Sequence, residues 1–240
     1  ATGTLQFTPL PDAFGTATIT VTANDGQLTS NTITRTFTVT VTPVNDPPTL
    51  NQPANVTIAE DSGNATVTLT GITYGPNTGS TNETGQTITV TSTSSNTAII
   101  PNPTISYTSP NATATLTFAP VANAFGTVTI TNTINDGQAT NNTVTKTFTV
   151  TVTPVNDPPT LGAISNVTIF EDAGTQTVNL SGITYGPNTG FTDEAVAGIQ
   201  TVTITASSSN TALIPTPTVT YTSPNATGTI QFAPVTDQIG

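Results

Sequence analysis

The chain has 240 residues and a net charge of −11, yet only 6% of its residues are charged, thirteen acids against two bases, with no His, Cys, Met or Trp. A chain with no basic patch cannot release counterions from phosphate, which argues against nucleic acid and anionic membrane surfaces as partners. Without His or Cys, nucleophilic triads, zinc sites and disulfides lack their parts, so an enzyme is not expected.

Thr makes up about a quarter of the sequence, and Leu, Lys and Glu are scarce. That composition favours strand over helix. In chain order, period-two alternation runs through Val56 and Ile58, Val67 and Leu69, Ile88 and Val90, and Ile105 and Tyr107. It continues through Leu116 and Phe118, Val128 and Ile130, and Phe148, Val150 and Val152. In each case apolar residues point one way and Thr mostly the other, which predicts about seven half-buried strands divided by Gly, Pro and Asn turns. The expected fold is all-β, an antiparallel β-sandwich of immunoglobulin-like shape. Phe118, Phe125, Phe148 and Tyr107 are its expected bulky core, since neither a Trp nor a Cys is available.

The sequence repeats itself. "TVTVTPVNDPPTL" occurs at residues 38–50 and again at 149–161, and Pro43 recurs as Pro154, a period of 111 residues. "SSNTA" at Ser94 and "YTSPNAT" at Tyr107 return 114 residues later, because "GSTNETGQ" has become "GFTDEAVAGIQ". An insertion that keeps the flanking register belongs in a surface loop. With Asn-Asp-Pro-Pro as the boundary, residues 47–157 form one complete unit. Residues 1–46 are then the C-terminal part of a preceding unit, and 158–240 the N-terminal part of a following one. With no initiator Met, signal peptide or hydrophobic span, the chain reads as an internal stretch of a longer protein.

The run "VNDPPTL…NVTIAED", "TSSNTAIIPNPTISYTSPN", "FGTVTITNTINDG" and "KTFTVTVTPVNDPP" resembles the cadherin-like, immunoglobulin-fold tandem repeats of giant bacterial surface and secreted proteins. The resemblance covers the whole chain. It implies an extracellular, cell-surface stalk or adhesion filament whose partners are neighbouring repeats, and it implies calcium at the joints. Calcium needs six to eight oxygens on converging loops. The residues that match are Asp46 with Glu60 and Asp61, and the joint also offers Asp25 of the preceding unit and Glu83 in a long loop of the next. At the second joint they are Asp157 with Glu171 and Asp172, with Asp136 and the pair Asp193 and Glu194 as the corresponding further acids. The Asp-x-Asp pair of cadherins has no clear counterpart, since "ITYGPNTGS" fills that region without an acid, which points to one weaker ion per joint rather than a full multi-ion joint. Turn chemistry is the other reading of these acids, because Asp-Gly favours hairpins and Asp before Pro is held extended.

Three further readings stay open. A carbohydrate-binding module would rest on Tyr74 and Tyr185, whose other reading is the edge of the core. Glycans could be attached at the Asn-x-Thr/Ser sites Asn55, Asn64, Asn82, Asn111, Asn141, Asn166, Asn179 and Asn225. A filament could also form if the tail of one chain completed the sandwich of the next.

Overall fold

The structure is a computed structural model that describes residues 2–75, 83–186 and 200–238. Twelve strands and no helix form among them. In chain order they are β1 (Gly15–Asn24), β2 (Thr32–Val41), β3 (Val56–Ala59), β4 (Ala65–Thr70), β5 (Thr89–Ser94) and β6 (Thr104–Ser106). There follow β7 (Thr113–Phe118), β8 (Gly126–Asn135), β9 (Thr143–Thr153), β10 (Gln176–Leu180), β11 (Thr218–Thr220) and β12 (Gly228–Phe232).

Seven of these, β3 to β9, build a central sandwich of two sheets, one ordered β3-β9-β8-β5 and the other β4-β7-β6. Every pair is antiparallel except β3 with β9, where Val56 lies opposite Val150 and Ala59 opposite Thr153. Alternation decides the faces. Along β8, Val128, Ile130 and Ile134 are buried, and along β9 so are Phe148, Val150 and Val152. With Leu69, Ile100, Leu116 and Phe118 from the facing elements they make one core. Phe125 and Tyr107 pack against its margin. On the outer face the Thr rows meet across strands, as in Thr127 with Thr151 and Thr133 with Thr145, both 3.3 Å between hydroxyls. Such cross-strand pairs add to pairing strength where no apolar contact exists.

One polar pair lies inside. Asn132 occupies a core-facing position of β8 and is fully buried. Its Oδ1 accepts a hydrogen bond from the Ser92 hydroxyl at 2.9 Å, and its Nδ2 donates to the Lys146 carbonyl at 3.4 Å. The alternation places Asn132 inward, but nothing in the sequence points to its partner.

The same letters behave differently on either side of the sandwich. β1 and β2 repeat β8 and β9 and pair over ten positions, from Gly15 opposite Val41 to Asn24 opposite Thr32. The sheet β10-β12-β11 repeats β4-β7-β6. Residues 167–170 repeat β3, and 203–208 repeat β5, yet neither is a strand. A strand needs a ladder partner to satisfy its backbone groups, and β9 and β8 supply it only in the central copy. Exposure follows: Phe37 is 43% exposed where Phe148 is 2%, and Leu161 is 48% exposed where Leu50 is 6%.

Candidate functional site

β8 and β9 run the full length of the sandwich, about 30 Å at 3.4 Å per residue. They define an upstream end, at Asn135 and Thr143, and a downstream end, at Gly126 and Val152. The β8–β9 turn lies at the upstream end. Asp136 begins it, with its amide donating to the Asn142 carbonyl at 3.1 Å and its Oδ1 accepting from the Gln138 amide at 2.9 Å. Gly137 follows at φ +82, a conformation that glycine adopts at no steric cost.

The linker from the preceding segment is fastened into this turn by Asn45. Its Nδ2 stands 3.1 Å from Asp136 Oδ2, 3.0 Å from the Thr140 carbonyl and 3.1 Å from the Asn141 carbonyl. Two hydrogens serve these acceptors, so the bonds are shared. In return, Asn141 Nδ2 donates to the Asn45 carbonyl at 3.0 Å, and Gln86 Nε2 donates to Asn45 Oδ1 at 2.8 Å. The network extends to Glu83, whose Oε1 accepts the Asp46 amide at 3.3 Å and whose Oε2 accepts Gln86 Nε2 at 2.6 Å. Asp136 and Glu83 are both buried. A burial of this kind is tolerable only where N–H donors reach the carboxylate oxygens. Gly75 lets the linker come close, since a Cβ there would stand 3.2 Å from the Asp46 Cβ. At the next joint Gln200 Nε2 donates to Asn156 Oδ1 at 3.0 Å, repeating the bond from Gln86 to Asn45.

The expected acidic groupings are therefore corrected. Asp46 does not meet Glu60 and Asp61, because the chain between them runs the length of the sandwich, first against residues 70–73 and then alongside β9. Gln52 bonds the Thr147 carbonyl on the way, and Asn55 Oδ1 accepts the Thr149 amide. Glu60 lies at the downstream end and is 2% exposed, with its amide on the Thr153 carbonyl and its Oε1 accepting the Val155 amide at 2.7 Å. Asp61 Oδ1 accepts the Asn123 amide at 3.0 Å. For the same reason Asp136 stands at the opposite end from Asp157. Asp25 lies at the tip of the β1–β2 turn, one ten-residue strand away from the end where Asp46 follows, with its Oδ1 on the Gln27 amide. Glu171 and Asp172 lie beyond residues 167–170, and Asp172 Oδ1 accepts the Asp237 amide at 3.0 Å. The corrected set at the first joint is Asp46, Glu83 and Asp136. At the second joint Glu60 accepts the Val155 amide, two residues before Asp157, while Asp61 accepts the Asn123 amide.

Among the described residues no group of three or more acids is close enough to hold a metal ion. The oxygens of Asp136 and Glu83 are turned to N–H donors, so this donor set does not fit a calcium cage. Asp193 and Glu194, and the sequon at Asn82, lie outside the described residues. Tyr74 and Tyr107 pack against the core, and Tyr185 OH meets the Ser223 hydroxyl at 3.1 Å. Burial pushes the Tyr107 hydroxyl above its ordinary 10.0, although the nearby Ser109 hydroxyl works the other way. The Asn55 and Asn141 side chains of two sequons are engaged in the bonds given above. Sequence reasoning passed over Asn45, Gln86 and Asn141 as joint residues. The signal was present in the Asn45/Asn156 and Gln86/Gln200 repeats, but an amide, unlike an acid, carries no charge to mark it in a chain rich in Asn and Thr.

No family model matches this sequence, and no curated protein matches it. Several solved structures are similar to it. Domains 4 and 5 of the S-layer protein SbsC share 22% identity over 58% of this chain and 66% of that one, with a TM-score of 0.29. The titin domains Z1Z2, solved in complex with telethonin, share 16% over 80% and 84%, with a TM-score of 0.33. The cadherin-like domains 1 to 4 of zebrafish RET share 11% over 92% and 50%, with a TM-score of 0.30. At these TM-scores none of them extends to what this chain does. No helix among the described residues is long and apolar enough to cross a membrane, which says nothing of a β-barrel.

Proposed function

We propose that this chain is a stretch of an extracellular stalk built from immunoglobulin-like repeats, in which it acts as a spacer rather than an enzyme. The repeats on this reading are residues 1–46, 47–157 and 158–240, set end to end, each adding on the order of 40 Å, a strand of about 8 residues plus its loops. The observation that carries it is the fastening of Asn45 into the Asp136–Asn142 turn. A linker free to swing would leave its amides to water. This one spends the donors and acceptors of Asn45 on the sandwich that follows, while Pro47 and Pro48 restrict the chain beyond it. Small-angle scattering tests the reading. Asn45→Ala combined with Asn156→Ala is expected to shorten the maximum dimension and broaden the distance distribution, with strand content unchanged. An unchanged distribution would mean that the amides do not hold the joint.

A further inference from the structure

The joint that Asn45 fastens makes a further set of contacts, on the peptide bond after Asp46. Only two aspartates of the chain precede a proline, Asp46 and Asp157, and both follow an asparagine. In each case the asparagine side chain reaches forward to the carbonyl of the aspartate. Asn45 Nδ2 stands 3.2 Å from the Asp46 carbonyl oxygen, and Asn156 Nδ2 stands 3.1 Å from that of Asp157. That oxygen belongs to the Asp-Pro bond. The peptide plane ahead of it is pinned, because the Asp46 amide donates to Oε1 of the buried Glu83 at 3.3 Å. Gly75 keeps room beside it, since a Cβ there would stand 3.2 Å from Asp46 Cβ and 3.4 Å from this oxygen. Pro47 is exposed, so water and its protons reach the proline nitrogen.

We infer that each Asn-Asp-Pro-Pro joint is a self-cleaving site, at which Asp46 and Asp157 cut their own peptide bonds to the prolines that follow. The aspartate carboxylate reaches its own carbonyl carbon by closing a five-membered ring, so the attack is intramolecular and its effective concentration is high. The proline nitrogen is a tertiary amide with no N–H, and it leaves as a secondary amine once it takes a proton. The asparagine supplies an N–H where charge develops, at the outer edge of the ~2.7–3.1 Å that such donors keep. Asn45 shares its hydrogens with the Asp136–Asn142 turn, and an oxyanion outcompetes neutral carbonyls for them. The step balances as a hydrolysis. A carboxylate oxygen of Asp46 bonds to the Asp46 carbonyl carbon, giving a tetrahedral oxyanion that Asn45 Nδ2 holds. The C–N bond to Pro47 then breaks with its electron pair on nitrogen, which takes a proton from water. The cyclic anhydride left behind takes up one water and opens to a C-terminal aspartate with two carboxyl groups. Each joint reacts once, and Pro47 becomes the amino terminus of the central sandwich.

The inference does not rest on the spacer reading, and it is read by mass rather than by shape, so either can fail without the other. The 240-residue chain is held in mildly acidic and in neutral buffer and followed by intact-mass spectrometry, with strand content checked by circular dichroism. Fragments ending at Asp46 and Asp157, and fragments beginning at Pro47 and Pro158, are expected. Asp46→Glu keeps the charge but enlarges the ring, and should abolish the first cut while leaving the second. Asn45→Ala should slow the first cut by about tenfold or more with the second unchanged, and Asn156→Ala should do the reverse. The two joints test the same donor separately, so loss of fold in one variant leaves the other to decide. An Asp-Pro bond also hydrolyses slowly in an unfolded chain, and the same measurement in urea gives that baseline. The folded chain is expected to exceed it by about tenfold or more. No cut at either bond, a folded rate no higher than in urea, or folded Asn→Ala variants that cleave as fast as the parent chain would overturn the inference.

Discussion

Removing the Ser92 hydroxyl by Ser92→Ala leaves Asn132 Oδ1, fully buried, without the donor that stands 2.9 Å away. An unsatisfied acceptor in an apolar core costs about 1–3 kcal/mol, and nothing about the small side chain of Ala offsets it. Taking about 2 kcal/mol, and about 4 °C per kcal/mol for a sandwich of this size, the midpoint falls by about 8 °C. Adding Asn132→Val removes the stranded amide as well and should recover most of that loss, because an apolar pair in the same space has no group left to satisfy. The coupling between the two sites is then about 1–3 kcal/mol, well above the few tenths expected of independent positions. Urea unfolding followed by tyrosine fluorescence measures it, since Tyr74 and Tyr107 both pack against this core. If the double variant is no more stable than Ser92→Ala, the hydrogen bond is not what holds Asn132 inside.

The repeat supplies its own controls for other variants. Phe148→Ala should cost about 3–5 kcal/mol as a large-to-small core change, whereas Phe37→Ala should leave the main unfolding transition in place. Gly71 has φ +70, and a Cβ there would stand 2.6 Å from the Asn51 side chain. Gly71→Ala should therefore cost about 1–3 kcal/mol in a thermal melt, and Gly63→Ala, in open space, should cost much less. Burial raises the Tyr107 pKa, so the folded state holds that proton longer than the unfolded chain and stability falls as pH rises above about 10. Alkaline ultraviolet titration should show Tyr107 ionising late, and losing that lag on unfolding.

Strand alternation made the sandwich legible, because a strand with one face on a core must alternate, and Phe148, Val150 and Val152 could not be read otherwise. The end of the sandwich on which each acid falls was not legible from proximity in the chain. Asp46 and Glu60 are close in sequence but lie at opposite ends of the sandwich, about 30 Å apart, since the segment between them runs the length of its strands. A strand reverses the intuition that neighbours in sequence are neighbours in a site. Nor could alternation tell that Val167–Phe170 would fail to pair where Val56–Ala59 succeeds, because the two read almost alike and differ only in whether β9 is there to meet them.

The parallel pairing of β3 with β9 has a mechanical consequence. The chain comes in at the upstream end and runs beside β9, and it departs from the downstream end of β9, so tension on the two termini draws these neighbours in opposite directions along their common axis. The four residue pairs from Val56 opposite Val150 to Ala59 opposite Thr153 are then loaded together in shear, with none exposed to be peeled first. A hairpin such as β1–β2, pulled by its two open ends, parts one bond after another. The sandwich thus meets stretching with its most cooperative contact, at the place where its first and last strands touch.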